Sequence, residues 1–174
     1  MPCGKMAPVT TLEVQITVNG VARSVQVAVG QTLLAVLREQ FRLTSVKEGC
    51  GQGDCGACVV VMDGDAVNSC LVLASQADGT NVTTLEGLSD ANKLHPLQQA
   101  FVANWAFQCG FCTPGMIMSC YALLLHNPKP SPAEVREAIA GNLCRCTSYR
   151  SIVEAVLDAA ALPERKSECD GGDD

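Results

Sequence analysis

The sequence predicts an α+β chain in two parts, a small mixed β/α unit followed by a helical one. Three observations carry that expectation: two-residue apolar alternation around an Asn-Gly turn, helical spacing with capping signals in the second half, and cysteines gathered into one group in each part.

In residues 12–18, Leu12, Val14, Ile16 and Val18 alternate with polar residues, the period of a half-buried strand. Asn19-Gly20 is a hairpin turn signal, and the alternation resumes over 21–29 through Val25, Val27 and Val29. Thr32 can cap a short helix whose apolar face is Leu33, Leu34, Val36 and Leu37. A glycine- and cysteine-rich loop spans 49–58. The β-branched run 59–61, the turn Asp63-Gly64 and a short strand near 82–84 complete the first unit.

The second part reads as helices. Residues 94–107 carry Leu97, Phe101, Val102 and Trp105 near helical spacing. Thr113-Pro114 offers an N-cap and a first-position proline for a helix over 116–125, which Asn127-Pro128-Lys129-Pro130 stops. Ser131-Pro132-Ala133-Glu134 is a capping box opening a helix over 135–140, with Gly141 as a left-handed end cap. Ile152, Val153, Val156 and Leu157 mark a last helix over 151–161. The expected units are 11–88 and 89–164, with the boundary near 86–92. They are flanked by a loose arm over 1–10 and an acidic, disordered tail over 165–174.

A hydrophobic fraction of 48% with 17% charged residues, over 174 residues, describes a folded chain. No apolar stretch approaches the ~20 residues of a membrane span. Residues 1–10 lack the apolar core of a secretory signal, so a cytoplasmic protein without membrane insertion is expected. Twelve basic against eighteen acidic residues, a net charge of −6, argue against nucleic acid or an anionic membrane as partner.

The eleven cysteines are the outlier. Their odd number and the absence of an export signal argue against a disulfide scaffold, leaving zinc or iron–sulfur clusters. Cys50, Cys55 and Cys58 form C-x4-C-x2-C, with Cys70 beyond the β-branched run: the plant-type ferredoxin spacing for a [2Fe–2S] cluster. Three thiolates must converge from one loop on a net-negative core, with backbone N–H groups turned inward, and Gly49, Gly51, Gly53 and Gly56 are interleaved to allow left-handed angles. A zinc site prefers paired C-x2-C knuckles. Residues 51–56 also match G-x-G-x-x-G, but this loop leaves a helix and enters a strand, the reverse of a dinucleotide loop.

Cys109-Gly110-Phe111-Cys112 and Cys144-Arg145-Cys146 form a second group, both pairs at predicted helix ends where unpaired N–H groups face an anion. C-x2-C alone is shared by zinc knuckles and redox dithiols; C-x-C is too tight for the usual knuckle and favours a second [2Fe–2S] cluster. Cys3, Cys120 and Cys169 have no partners at ligand spacing, and Cys120 reads as a small buried hydrophobe.

Residues 46–50 (VKEGC) through Cys55-Gly56-Ala57-Cys58, then 108–115 (QCGFCTPG), then 141–147 (GNLCRCT), resemble the small subunits of the xanthine oxidase family of molybdenum hydroxylases. The resemblance covers about 12–157. It implies an N-terminal β-grasp, plant-type ferredoxin-like domain and a C-terminal four-helix [2Fe–2S] domain. Cys50, Cys55, Cys58 and Cys70 would hold one cluster, and Cys109, Cys112, Cys144 and Cys146 the other. Gln108 and Cys146 would lie on the pterin side, against molybdopterin in a large subunit. Electrons would pass from molybdenum through the helical-domain cluster and the ferredoxin-like cluster to FAD on a medium subunit, in a dimer of heterotrimers.

Two positions depart from the family pattern. Ser148 stands where glycine is usual, and would carry about 1 kcal/mol of strain if that position is left-handed. Val59 stands where threonine is common, which removes a hydroxyl near the first cluster. Residues 43–50 resemble subunits of xanthine and nicotinate dehydrogenases, while 114–118 equally resemble those of carbon monoxide dehydrogenase and aromatic hydroxylases. No nucleophile–base motif suggests catalysis by the chain itself. The competing expectations are a free-standing ferredoxin-like protein and a zinc-structured interaction protein.

Overall fold

The computed structural model describes residues 10–90 and 93–161. Residues 1–9 of the expected arm, the expected tail, and with them Cys3 and Cys169, lie outside the described residues.

Strands β1 (Thr11–Val18) and β2 (Val21–Ala28) form an antiparallel hairpin with Val18 opposite Val21. Asn19 (φ 51°) and Gly20 (φ 77°) are both left-handed, giving the turn whose twist matches the strands. The alternation buries Val14, Ile16, Val18, Val25 and Val27. Val29, expected to extend the pattern, lies past the end of β2 and is exposed.

Helix α1 (Leu33–Ala35) starts on Thr32, whose hydroxyl accepts the Ala35 N–H at 3.3 Å. It runs into a wider π-type turn, Val36–Gln40, closed by the Phe41 N–H on the Val36 carbonyl at 3.1 Å. Leu33, Leu34, Val36 and Leu37 all stay buried across this change of pitch.

Strands β3 (Val59–Met62) and β4 (Asp65–Asn68) pair across Asp63-Gly64, and β5 (Asn81–Thr83) completes the sheet. The order is β2-β1-β5-β3-β4, with β1 and β5 parallel, the β-grasp arrangement. β4 was not expected, because this edge strand buries no residue fully and carries no alternating apolar signal.

The uninterrupted valines of β3 have a physical reason: both faces are covered. Val60 joins the core of the sheet and α1, while Val59 and Val61 pack on the other face with Met118 and Ala122. The Val59 side chain thus fills an apolar contact with the helical part.

Helices α2 (Pro96–Ala103), α3 (Thr113–His126), α4 (Pro132–Ala138) and α5 (Arg150–Ala161) enclose a second core around Leu97, Phe101, Met116, Ile117, Val135, Ile152 and Val156. Four helix ends correct the sequence-based expectations. α2 is shorter than 94–107: His95 caps it and Pro96 takes its first position. It ends in paired bonds from Trp105 N–H to Val102 O (3.2 Å) and Ala106 N–H to Phe101 O (2.9 Å), with Trp105 at the left-handed position (φ 51°) usually taken by glycine. Val102 and Trp105 are therefore exposed, Trp105 to 80%, rather than part of an apolar stripe.

The cap of α3 is Cys112, not Thr113, because the Cys112 carbonyl already accepts the first helical bond from Met116 N–H at 3.0 Å. The capping box of Ser131 and Glu134 forms as expected. Gly141, by contrast, is not left-handed. Short bonds from Ala140 N–H to Glu137 O and Asn142 N–H to Ile139 O satisfy the carbonyls at the end of α4, so no left-handed residue is needed.

Candidate functional site

The first cysteine loop is shaped by glycine. Gly51, Gly53 and Gly56 have φ of 67°, 88° and 68°, angles that cost other residues about 1–2 kcal/mol. Gly49 is not left-handed; its reason is space, since a Cβ there would lie 2.8 Å from the Cys55 sulfur. The loop turns its N–H groups inward: Gln52 and Asp54 donate to Cys50 Sγ at 3.5 and 3.3 Å. Asn68 of β4 braces it by donating to the Gly53 carbonyl at 3.1 Å.

The thiols respond to this setting. The N–H groups of Gln52 and then Cys55 bring the Cys50 thiol down to about 7. Burial, and then contact with Cys58, push Cys70 up to about 11. The Cys55 side chain is among the groups that lower Cys50, and the Cys58 side chain among those that raise Cys70.

The second group is assembled at helix ends. Cys109 and Cys112 enter α3, while Cys144 and Cys146 lie between α4 and α5. The Cys144 side chain is among the groups that raise Cys112, and Cys109 is the main group that raises Cys146. Burial and then the Cys144 contact raise Cys112 to about 12. Cys144 is also raised by burial, but the Thr147 hydroxyl and N–H outweigh this and leave its thiol lowered. The Thr147 N–H and Oγ1 donate to Cys144 Sγ at 3.3 and 3.1 Å. The Tyr149 hydroxyl accepts the Cys144 N–H at 2.7 Å and donates to the Asn142 carbonyl at 3.1 Å.

This clamp also corrects the expectation of strain at Ser148: Ser148 is not left-handed, and the positive φ falls on Tyr149 (62°). Gln108 is exposed just ahead of Cys109, which is exposed too. Cys120 is fully buried on α3, and burial raises its thiol to about 12.

The two groups interlock. Leu143 N–H donates to the Cys55 carbonyl at 3.0 Å. The buried Asn142 side chain donates to the Gly56 carbonyl at 3.0 Å and accepts from Ser119 Oγ at 2.8 Å. Glycine makes the approach possible: a Cβ on Gly115 would lie 2.2 Å from the Gly56 carbonyl, and one on Gly56 would lie 2.5 Å from the Gly141 carbonyl.

Sequence reasoning did not single out Asn142, Thr147 or Tyr149. Asn142 and Thr147 lie within the 141–147 stretch that carries the family resemblance, but that stretch gave them no role, because each acts through a fold contact.

The donor chemistry fits a binuclear iron core. Each group offers four cysteines, enough for two ligands per iron, and N–H or O–H donors already face Cys50 Sγ in the first and Cys144 Sγ in the second. Among the described residues, no three His, Cys, Asp or Glu side chains close on a single-ion site. No described helix is long and apolar enough to cross a membrane.

Comparison with known proteins agrees with this chemistry. A family described as 2Fe-2S iron-sulfur cluster binding domain matches residues 16–85, and one described as [2Fe-2S] binding domain matches residues 84–157. The nicotine 6-hydroxylase small subunit of Paenarthrobacter nicotinovorans is 53% identical over 153 residues, covering 88% of this chain and 92% of that one. The nicotinate dehydrogenase small FeS subunit of Eubacterium barkeri is 50% identical over 145 residues, covering 83% and 92%. A chain of the crystal structure of quinoline 2-oxidoreductase from Pseudomonas putida 86 superimposes with a TM-score of 0.83 at 45% identity, covering 86% of this chain and 94% of that one. A ferredoxin-like domain followed by a helical [2Fe–2S]-binding domain, matched over nearly its whole length to such subunits, makes this chain a member of the small iron–sulfur subunits of the xanthine oxidase family of molybdenum hydroxylases.

Proposed function

We propose that Cys50, Cys55, Cys58 and Cys70 ligate one [2Fe–2S] cluster and Cys109, Cys112, Cys144 and Cys146 a second. In this reading the chain carries electrons from a molybdopterin-binding large subunit to an FAD-binding medium subunit. The observation that carries the reading is a set of N–H and O–H donors facing a cysteine sulfur in each group, Cys50 and Cys144, with the groups joined by the Leu143 N–H on the Cys55 carbonyl. When bound, each cluster supplies one-electron redox chemistry.

The chain's own residues hold the two groups in register. Asn142 ties the loop carrying Cys55 to the C-x-C pair, and Leu143 gives a direct covalent and hydrogen-bonded link from the Cys55 backbone to Cys144. Gln108 and Cys146 form the pterin side. Leu71, Phe111 and Leu143, each within one residue of a proposed ligand, are exposed apolar side chains that a partner subunit would cover. In this reading the complex is a cytoplasmic dimer of heterotrimers, a compartment in which cysteines are kept from forming disulfides.

Rapid anaerobic mixing of the assembled complex with substrate, following each cluster by its spin signal, tests the order. Cys55→Ser should leave the helical-part cluster reducible while flavin reduction slows, and Cys112→Ser should block both the first-group cluster and the flavin. The reverse pattern would place Gln108 and Cys146 on the wrong side.

A further inference from the structure

The second cysteine group has a contact that the first lacks: a side-chain hydroxyl on a cysteine sulfur. Around Cys50 the loop donors are the backbone N–H groups of Gln52 and Asp54. Around Cys144 the Thr147 hydroxyl donates at 3.1 Å beside its own N–H at 3.3 Å. Among the described residues no other hydroxyl donates to a cysteine sulfur. Thr147 is half-buried, and its position is fixed from both sides. Its N–H is engaged on Cys144, and two residues on, Tyr149 holds the Cys144 N–H at 2.7 Å.

We propose that Thr147 sets the reduction potential of the second cluster through the hydrogen bond from its hydroxyl to Cys144. The inference rests on the reading of Cys144 as a cluster ligand. Reduction adds one electron to a core that is already negative, with no bond broken and no proton moved. A hydrogen bond to a thiolate sulfur draws charge off that sulfur and favours the more negative state, so it raises the potential. Bonds to charged acceptors are stronger than neutral ones, and a half-buried site strengthens them further. The backbone donors of the first loop provide the same kind of stabilisation without depending on any one side chain. Thr147 is therefore the position where a single substitution tunes one cluster and leaves the other untouched.

The test is a redox titration of the assembled complex, with each cluster followed by its own spin signal. Thr147→Val keeps the size and branching and removes only the hydroxyl. It should lower the reduced-to-oxidised ratio of the second cluster about tenfold at a fixed potential, a shift of about 59 mV for a one-electron couple. The first cluster should not move, and it serves as the internal reference. Thr147→Ser, which restores the hydroxyl, should return the second cluster to within a small fraction of that shift. Resonance Raman should show altered iron–thiolate stretching in the valine variant and near-normal stretching in the serine variant.

If the valine variant fails to retain the second cluster, Thr147→Ala carries the same expectation. An unchanged second cluster in valine, an equal shift of both clusters, or a serine variant that behaves like valine would overturn the inference while leaving the ligand reading standing. Loss of the second cluster in valine, alanine and serine alike would also overturn it, since the hydroxyl would then not be what matters. A single spin signal in fully loaded wild-type complex would overturn the ligand reading itself, and this inference with it.

Discussion

The first cysteine group draws three of its four thiols from one short loop, Cys50 to Cys58, and adds Cys70 after a hairpin. The second brings together two pairs that lie far apart in sequence, one entering α3 and one between α4 and α5. The first loop gets its shape from glycine backbone angles and its donors from its own N–H groups. The second gets its shape from contacts: Tyr149 on Cys144, Thr147 on Cys144, Asn142 on Gly56. A metal loop can therefore be encoded locally or by tertiary structure, and the two modes differ in how they fail. Damage to a locally encoded loop stays within it, whereas damage to a contact-built one follows the contact that is lost, reaching the other group only where that contact bridges the two, as at Asn142.

The largest effect is expected where the two groups touch. Gly115→Ala puts a Cβ 2.2 Å from the Gly56 carbonyl, a backbone atom that cannot turn aside. Denaturant unfolding of the cluster-loaded chain should show a loss of about 2–4 kcal/mol, from overpacking against a fixed wall. Gly110→Ala is the control: its Cβ meets open space, and only the left-handed angle should cost about 1–2 kcal/mol. Equal losses in the two variants would remove the close approach of the groups from the account.

Next comes Asn142→Ala. It strands the buried Ser119 hydroxyl and leaves the Gly56 carbonyl only the Val59 N–H at 3.3 Å, and an unpaired buried polar group costs about 1–3 kcal/mol. Both spin signals should broaden or shift together in this variant, because the clamp bears on both loops. A change confined to the second signal would show that Asn142 serves one group only.

Tyr149→Phe should have a smaller and more local effect. It removes the hydroxyl that joins Cys144 N–H to the Asn142 carbonyl, at a cost of about 1–2 kcal/mol. The perturbation should fall on the second signal, and a shift in the first of the same size would contradict the contrast between the loops.

Smallest is the acid response of Glu86, which accepts from the Ser45 hydroxyl and N–H and from the Thr84 hydroxyl, next to the chain entering the first loop. Burial raises its carboxyl, but the Ser45 and Thr84 bonds outweigh this and leave it below its usual 4.5. A depressed carboxylate stabilises the fold above the unfolded value and loses that contribution as pH falls through the folded value. Glu86→Gln should be less stable than wild type at neutral pH, with the gap closing below about 4.5. The carboxylate stands at the surface, so the gap should stay under about 1 kcal/mol. A gap that widens on acidification would reverse the sign.

The same contrast explains what the sequence revealed. Gly51, Gly53 and Gly56 announce the first loop because a left-handed angle has a local residue signature, and Asn19-Gly20 announces the hairpin for the same reason. The cysteine spacings were legible in both groups. The clamp was not: Asn142, Thr147 and Tyr149 are ordinary loop residues until α4 and α5 bring them against the first loop. The helix expected over 94–107 ran past its true end because a Schellman end in a non-glycine residue, here Trp105, has no sequence signal. β4 escaped because this edge strand buries no residue fully and sets only Val67 against the core, leaving no alternating apolar pattern.

The central claim, one [2Fe–2S] cluster in each cysteine group, is tested most directly by iron and acid-labile sulfide counts on fully loaded chains, read beside their spin spectra. Wild type should hold about four irons and four sulfides with two distinguishable signals. Cys55→Ser should lose or perturb only the first-group signal, and Cys112→Ser only the second. About two irons and one signal in wild type, or loss of both signals on changing either cysteine, would contradict it.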